Sequence, residues 1–286
     1  MQVNDAWHGL RHGVLGVVRD TSERRKLPQL PVLRRIKSFA QRGVLLWGLV
    51  ICLPAPAYAM HIAEGIIAGW PALAYTLIAV GLMGVGARGI QKFQNEFPDR
   101  RPLIGMGAAI IFFISLVPIP AFTGTTSHPC GTPLIAILLG PRVTFALTGI
   151  SLLLQAAFFA HGGFGTWGAN LMALGLVGGT FGWSAFWVAR RMGLPILAAG
   201  CAGGLIGDIA TYAFSGIVLA TALSTAPHPQ YDFGAYLAVI YAAYAPTQIP
   251  IAIGEMLITG LALRHALRQR PEVLEDLKVW PSYAKA

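Results

Sequence analysis

The 286-residue sequence predicts an all-α fold: a polytopic membrane helix bundle of about seven membrane segments, one of them short, after a cleavable signal peptide. Three observations predict it. Hydrophobic residues make up 55% of the chain and charged residues only 12%, against about a quarter charged in soluble domains. The mean hydropathy is +0.61. Apolar stretches alternate with short connections, and the cationic residues sort to every second connection.

The leader comes first. Residues 1–42 are polar and basic, with clusters at Arg24-Arg25-Lys26 and Arg34-Arg35-Ile36-Lys37. An apolar run, GVLLWGLVICL at 43–53, and the sequence PAPAYA at 54–59 follow. A basic region, an apolar run of about 7–15 residues and a small-x-small site describe a secretory signal peptide. Ala57-Tyr58-Ala59 supplies the small residues, so cleavage makes Met60 the first residue. The run is shorter than the roughly 20 residues a bilayer crossing needs, which disfavours an uncleaved signal anchor. Ile51 before Cys52 is bulky where a lipoprotein signal wants a small residue. The basic region is long for a signal, and translation starting at Met60 would give the same amino terminus. The expected organisation is a leader at 1–59, a transmembrane bundle at 60–263 and a cytoplasmic tail at 264–286.

The apolar stretches lie at roughly 66–87, 103–121, 132–140, 143–160, 168–189, 195–222 and 234–263. The third is too short to cross as a lipid-facing helix and is expected to be buried among its neighbours. Counting it puts Arg88, Lys92, Arg100 and Arg101 in one connection, Arg142 in the next on that side, and Arg190 with Arg191 in the third. Arg264, Arg268, Arg270, Lys278 and Lys285 lie in the tail. The opposite connections, 60–65, 122–131, 161–167 and 223–233, contain no Lys or Arg. By the positive-inside rule, Met60 is outside a bacterial plasma (inner) membrane and the carboxyl terminus is cytoplasmic. The net charge of +9 thus reads as topology in a lipid bilayer, with no nucleic-acid footprint.

The same assignment gathers His61, His128, His161 and His228 on the outer side and leaves His265 in the basic tail. A histidine following a free amino-terminal residue is a ready chelate. The Met60 amine, the His61 amide nitrogen and the His61 Nδ1 close a five- and a six-membered ring. Loss of the amide proton sets three nitrogens in one plane, and a fourth completes the square-planar geometry associated with Ni(II) and Cu(II); a rigid site could hold Co(II) similarly. Binding releases protons, so affinity falls as the pH is lowered. The loop FTGTTSHPCGTP at 122–133 carries His128 and Cys130 among turn-forming residues, so it could fold back over the bundle mouth and bring His128 in as the fourth nitrogen. A solvated surface loop is the plainer alternative.

Four residues are candidates for supporting roles. Glu64 could neutralise the site or hold a ligand N–H, or simply sit at a helix start. Cys130 is a potential soft ligand; with Cys52 and Cys201 it suggests no disulfide framework. His161 shares the outer face and is expected to support the site or pack the loop. Asn170 is placed to position the loop by hydrogen bonding. His228, between two prolines, reads as solvated. Asp208 and Glu255 lie inside apolar stretches, where ionisable groups face the protein interior; each is either an ion-pathway carboxylate or hydrogen-bonded to a neighbouring helix. Gly203, Gly204 and Gly207, and Gly175, Gly178 and Gly179, read as close helix-packing positions.

Several segments resemble the CbiM family: MHIAEG (60–65), SHPCGT (127–132), AILLGP (136–141), AAFFAHGGFGTWGAN (156–170), GDIATYAF (207–214) and TQIPIAIGEMLITG (247–260). The likeness runs in order from Met60 to about Pro271. CbiM and its relative NikM are substrate-binding components of energy-coupling-factor transporters for cobalt and nickel. The resemblance implies a metal, bound as substrate and not as a cofactor, on Met60, His61 and His128. It also implies two ATPase subunits, a transmembrane coupling subunit and often a small auxiliary membrane subunit. The Ser-His-Pro loop and GDIATYAF are closer to the cobalt branch, leaving nickel(II) as the alternative. The chain has no Walker motif, so ATP hydrolysis belongs to partners. It has no His-Glu-x-x-His pair, which disfavours an intramembrane metalloenzyme. A stand-alone permease or a metal sensor needing no ATPase remains as a competing reading.

Overall fold

The computed structural model describes Ile62 and residues 64–117, 119–120 and 126–279. The leader at 1–59, Met60 and His61 lie outside the described residues.

Proline sets where most helices begin. Its fixed φ and missing N–H suit the first helical turn, where that N–H would lack an intrahelical partner. Proline occupies the first turn of α1 (Trp70–Glu96), α2 (Pro102–Leu116), α3 (Thr132–Leu139) and α4 (Pro141–Phe159). Then come α5 (Trp167–Arg191), α6 (Ile196–Ser224) and α7 (Phe233–Gln269). A six-residue helix, α8 (Pro271–Asp276), closes the described chain. Asp232 caps α7, its Oδ1 accepting the Ala235 N–H at 2.8 Å. Each of the seven apolar stretches is therefore a helix. Five of them, α1, α4, α5, α6 and α7, are long and apolar enough to cross a membrane.

The short third stretch is short because the chain before it does part of the travelling. Between α2 and α3, β1 (Ile119–Pro120) pairs antiparallel with β2 (Thr126–Ser127). The chain then sinks into the bundle as an irregular segment before α3 begins. All residues of α3 except Leu138 are buried. Gly140, at φ 85, separates α3 from α4 with a backbone that favours glycine.

Helix α6 is the hub. A Cβ on Gly204 would stand 2.6 Å from the Glu255 carbonyl of α7, and one on Gly207 would stand 2.8 Å from the Gly178 carbonyl of α5. Small residues let helices approach this closely in lipid, where no hydrophobic force drives helices together. The largest apolar cluster lies toward the arginine end, around Phe93, Ile135, Phe186 and Leu263.

Helix α7 continues to Gln269, and Leu274 and Val279 are buried in that same cluster. Arg100 donates to Asp276 at 2.6 Å, and Lys278 to Glu96 at 2.7 Å. The expected tail is docked on the bundle as far as Val279.

Candidate metal site

The loop of residues 127–131 is non-helical backbone inside the protein, so each polar group needs a partner. Helices α6 and α7 supply them. The Tyr212 hydroxyl donates to the His128 carbonyl at 2.9 Å and accepts the His128 N–H at 3.3 Å. The Glu255 carboxylate accepts the Cys130 N–H at 3.1 Å and the Gly131 N–H at 3.0 Å. The Ser127 and Thr247 hydroxyls lie 3.1 Å apart. Asp208 accepts the Cys130 thiol at 3.5 Å and the Gln248 amide at 2.6 Å. Asp208 and Glu255 are 0% and 1% exposed.

This scaffold fixes the His128 imidazole, which is 2% exposed. Its Nδ1 lies 2.9 Å from the Pro129 carbonyl. A carbonyl only accepts, so Nδ1 carries the proton and Nε2 keeps its lone pair. Burial pushes the His128 pKa down to about 4; the bond to Pro129 opposes this, and His161 adds to it. The two imidazoles lie side by side with centroids 5.8 Å apart. His161 reaches this place because Ala160 takes a left-handed conformation, φ 49 and ψ 31, at the end of α4. Burial lowers the His161 pKa too, against a bond to the Ser115 backbone. Both rings are thus held neutral, the form that can ligate a metal.

The segment around Ile62 is fastened from the other side. Asn170 Oδ1 accepts the Ile62 N–H at 2.9 Å, and its Nδ2 lies 3.5 Å from the Ile62 carbonyl. Glu64 accepts the Gly165 N–H at 3.0 Å. A side chain at Gly163 or Gly165 would run into that carboxylate, which explains the glycines after His161. Ile62 and Ile67 pack with Ala169 and Val218. Cys130 and Tyr212 pack with Ala173 and Leu174. Ala169 and Ala173 are four residues apart on α5, about one turn. Phe214 and Leu219 touch both clusters. Just after Ala169 the helix widens into a π-helical segment, Met172–Gly178, which carries Ala173 and Leu174, a feature that recurs at functional sites.

Of the residues singled out in the sequence, His128 and His161 are together, Asn170 holds Ile62, and Glu64 bonds the loop after His161. Cys130 is present in the loop, but its thiol is engaged with Asp208. His228 is exposed. Among the described residues, no group of three His, Cys, Asp or Glu is arranged to hold a metal ion, so His128 and His161 do not make a site by themselves. Tyr212, Thr247 and Gln248 were not foreseen. Their signal was spacing: Asp208 and Tyr212 are four residues apart, and Gln248 and Glu255 seven, which puts each pair on one helix face.

The fold and the buried polar groups at its histidine end define a class, a multi-pass α-helical membrane protein. Residues 61–273 match the family model "Cobalt uptake substrate-specific transmembrane region", CbiM. The chain belongs to this family of cobalt-uptake membrane components. It is 37% identical over 249 residues to "Cobalt transport protein CbiM" of Geobacter sulfurreducens, covering 86% of this chain and 70% of that one. The protein of the same name from Sorangium cellulosum is 38% identical over 226 residues, 77% of this chain and 96% of that one. A solved structure, "Crystal Structure of an Truncated Transition metal Transporter", superposes with a TM-score of 0.62 at 24% identity, covering 73% of this chain and 99% of that one. That likeness speaks to the fold.

Proposed function

We propose that this chain captures Co(II) at the outer face of a bacterial plasma membrane, as the substrate-binding subunit of an ATP-driven energy-coupling-factor importer. The ion is held by the Met60 amine, the amide nitrogen and Nδ1 of His61, and Nε2 of His128. Residues 1–59 are a leader whose removal creates the amine ligand. The observation that carries this reading is the buried His128 with its Nδ1 2.9 Å from the Pro129 carbonyl, which assigns the proton to Nδ1 and the basic lone pair to Nε2. The Asn170 clamp on Ile62, the residue after His61, supports a terminal chelate delivered to the same end of the bundle.

A neutral imidazole contributes a lone pair without first losing a proton. The deprotonated amide supplies one negative charge against the dication, and its proton leaves to solvent. His161 and Glu64 support the site without ligating. The family names of the relatives favour cobalt over nickel(II). ATPase subunits hydrolyse ATP, and a transmembrane coupling subunit and a small auxiliary membrane subunit complete the transporter; the chain itself is a transport subunit, not an enzyme.

The test combines mass spectrometry of the mature amino terminus with Co(II) titration of purified protein. A chain beginning at Met60 is expected to bind Co(II), and one retaining residues 1–59 is expected to lose binding. Equal affinity of the two forms would refute the terminal chelate. Cobalt accumulation at full rate without the ATPase subunits would refute the energy-coupling assignment and favour a stand-alone permease.

A further inference from the structure

We infer that Glu255 is a positioning residue for metal capture, acting through the loop backbone to hold His128 in register with the amino-terminal chelate. The inference rests on the proposed role of His128 as a ligand.

Both carboxylate oxygens of Glu255 are committed to that loop. Oε2 accepts the Cys130 N–H at 3.1 Å and Oε1 the Gly131 N–H at 3.0 Å. Gly131, directly after the two amides that meet the carboxylate, takes φ 68, a left-handed conformation that favours glycine. Cys130 is two residues from His128, and the peptide planes between them transmit any shift. Tyr212 clasps the amide and carbonyl of His128 itself. Tyr212 alone leaves the loop free to pivot about that residue. Glu255 supplies a second fixed point, and two fixed points set the direction of the Nε2 lone pair.

Glu255 is itself immobilised. It is 1% exposed, and the Gly204 backbone of α6 abuts its carbonyl closely. Each Glu255 oxygen already carries one loop amide. The neighbouring Asp208 is likewise engaged, by Cys130 and Gln248.

The test uses the full mature protein, purified metal-free, as wild type, Glu255→Gln, His128→Ala and the double variant. Co(II) affinity is measured by competition titration, and coordination by the visible d–d absorption of bound Co(II). Glutamine keeps the shape but offers one acceptor oxygen and turns an NH2 donor against an amide donor. It is expected to weaken Co(II) binding about 10- to 100-fold, the range for outer partners of metal sites, and to alter the d–d bands. In the His128→Ala background the same substitution is expected to change residual affinity by less than about twofold, since coupled residues are not additive. Loss in His128→Ala with wild-type affinity and spectrum in Glu255→Gln would overturn the Glu255 inference alone. An undiminished Glu255→Gln effect in the His128→Ala background would overturn it as well, by showing a general structural role. Wild-type affinity in His128→Ala would overturn the ligand assignment and this inference with it.

Discussion

Replacing Asn170 by alanine tests how the amino-terminal segment is held. Asn170 is 3% exposed and Ile62 2% exposed, so the bond between them at 2.9 Å is shielded from water. Alanine removes the acceptor and leaves the Ile62 N–H buried without it. A buried donor stripped of its partner costs about 1–3 kcal/mol. At about 1.4 kcal/mol per tenfold, the docked segment becomes roughly 5- to 150-fold less favoured. If Co(II) binds only the docked segment, apparent affinity falls by the fraction docked, so that range is the ceiling of the effect. Glu64 is the internal comparison. It also bonds the segment to the loop before α5, through Gly165, but in an exposed position where water can replace it. Glu64→Ala is therefore expected to cost less than about fivefold. The assay is Co(II) competition titration on purified protein, with thermal unfolding of the metal-free form to check the fold. Wild-type affinity in Asn170→Ala, or a larger loss in Glu64→Ala, would refute the docking argument.

Two further predictions concern pH and packing. His128 is held neutral by burial, with its pKa pushed from 6.5 to about 4. The unfolded chain takes up the proton first, so the stabilisation is intact above pH 6.5, declines as pH falls below it, and is gone near pH 4. The span corresponds to about 3 kcal/mol; His128→Gln should flatten the pH dependence of the metal-free unfolding midpoint across that window, and an unchanged slope would contradict the burial argument. Gly204→Ala puts a methyl 2.6 Å from the Glu255 carbonyl and is expected to destabilise by about 1–3 kcal/mol. Gly254→Ala on α7 meets nothing within 4 Å; it should be neutral or slightly stabilising, and comparable unfolding midpoints for the two variants would refute the close-approach reading.

Hydropathy made the helices legible because seven stretches had to satisfy lipid or each other, and all seven are helical. It misjudged their ends. The apolar stretch from 66 stops at 87, but α1 runs on to Glu96. Hydropathy reports where lipid ends, whereas backbone hydrogen bonding continues into the polar zone. The docking of Leu274 and Val279 escaped notice for a similar reason, since two apolar residues in a charged tail give no periodic signal. The loop was legible because histidine, cysteine, glycine and proline together are unusual between apolar spans. The π-helical segment was not legible; Gly175, Gly178 and Gly179 read equally well as packing positions. Asp208 and Glu255 stood out in the sequence, but their role did not. Their partners are mostly backbone amides and a thiol of the loop, and sequence does not display which amides lack acceptors.

Those two carboxylates can be accounted for by counting what the loop demands. A helix satisfies its own backbone, but the segment from His128 to Gly131 cannot. The Pro129 carbonyl meets the His128 ring and the Gly131 carbonyl accepts from Ile135; the N–H groups of His128, Cys130 and Gly131 and the carbonyl of His128 turn to α6 and α7. Two side chains, Tyr212 and Glu255, meet all four. Tyrosine answers one donor and one acceptor because its hydroxyl does both, and a carboxylate answers two donors because it has two accepting oxygens. Asp208 then takes the Cys130 thiol, and Gln248 closes the cluster through its amide. The polar residues inside α6 and α7 are thus matched to a piece of non-helical chain. Under the proposed ligand role of His128, non-helical chain at this place lets the imidazole be aimed at ligands from the mature amino terminus, since a regular helix would have fixed the direction of residue 128 by its own geometry.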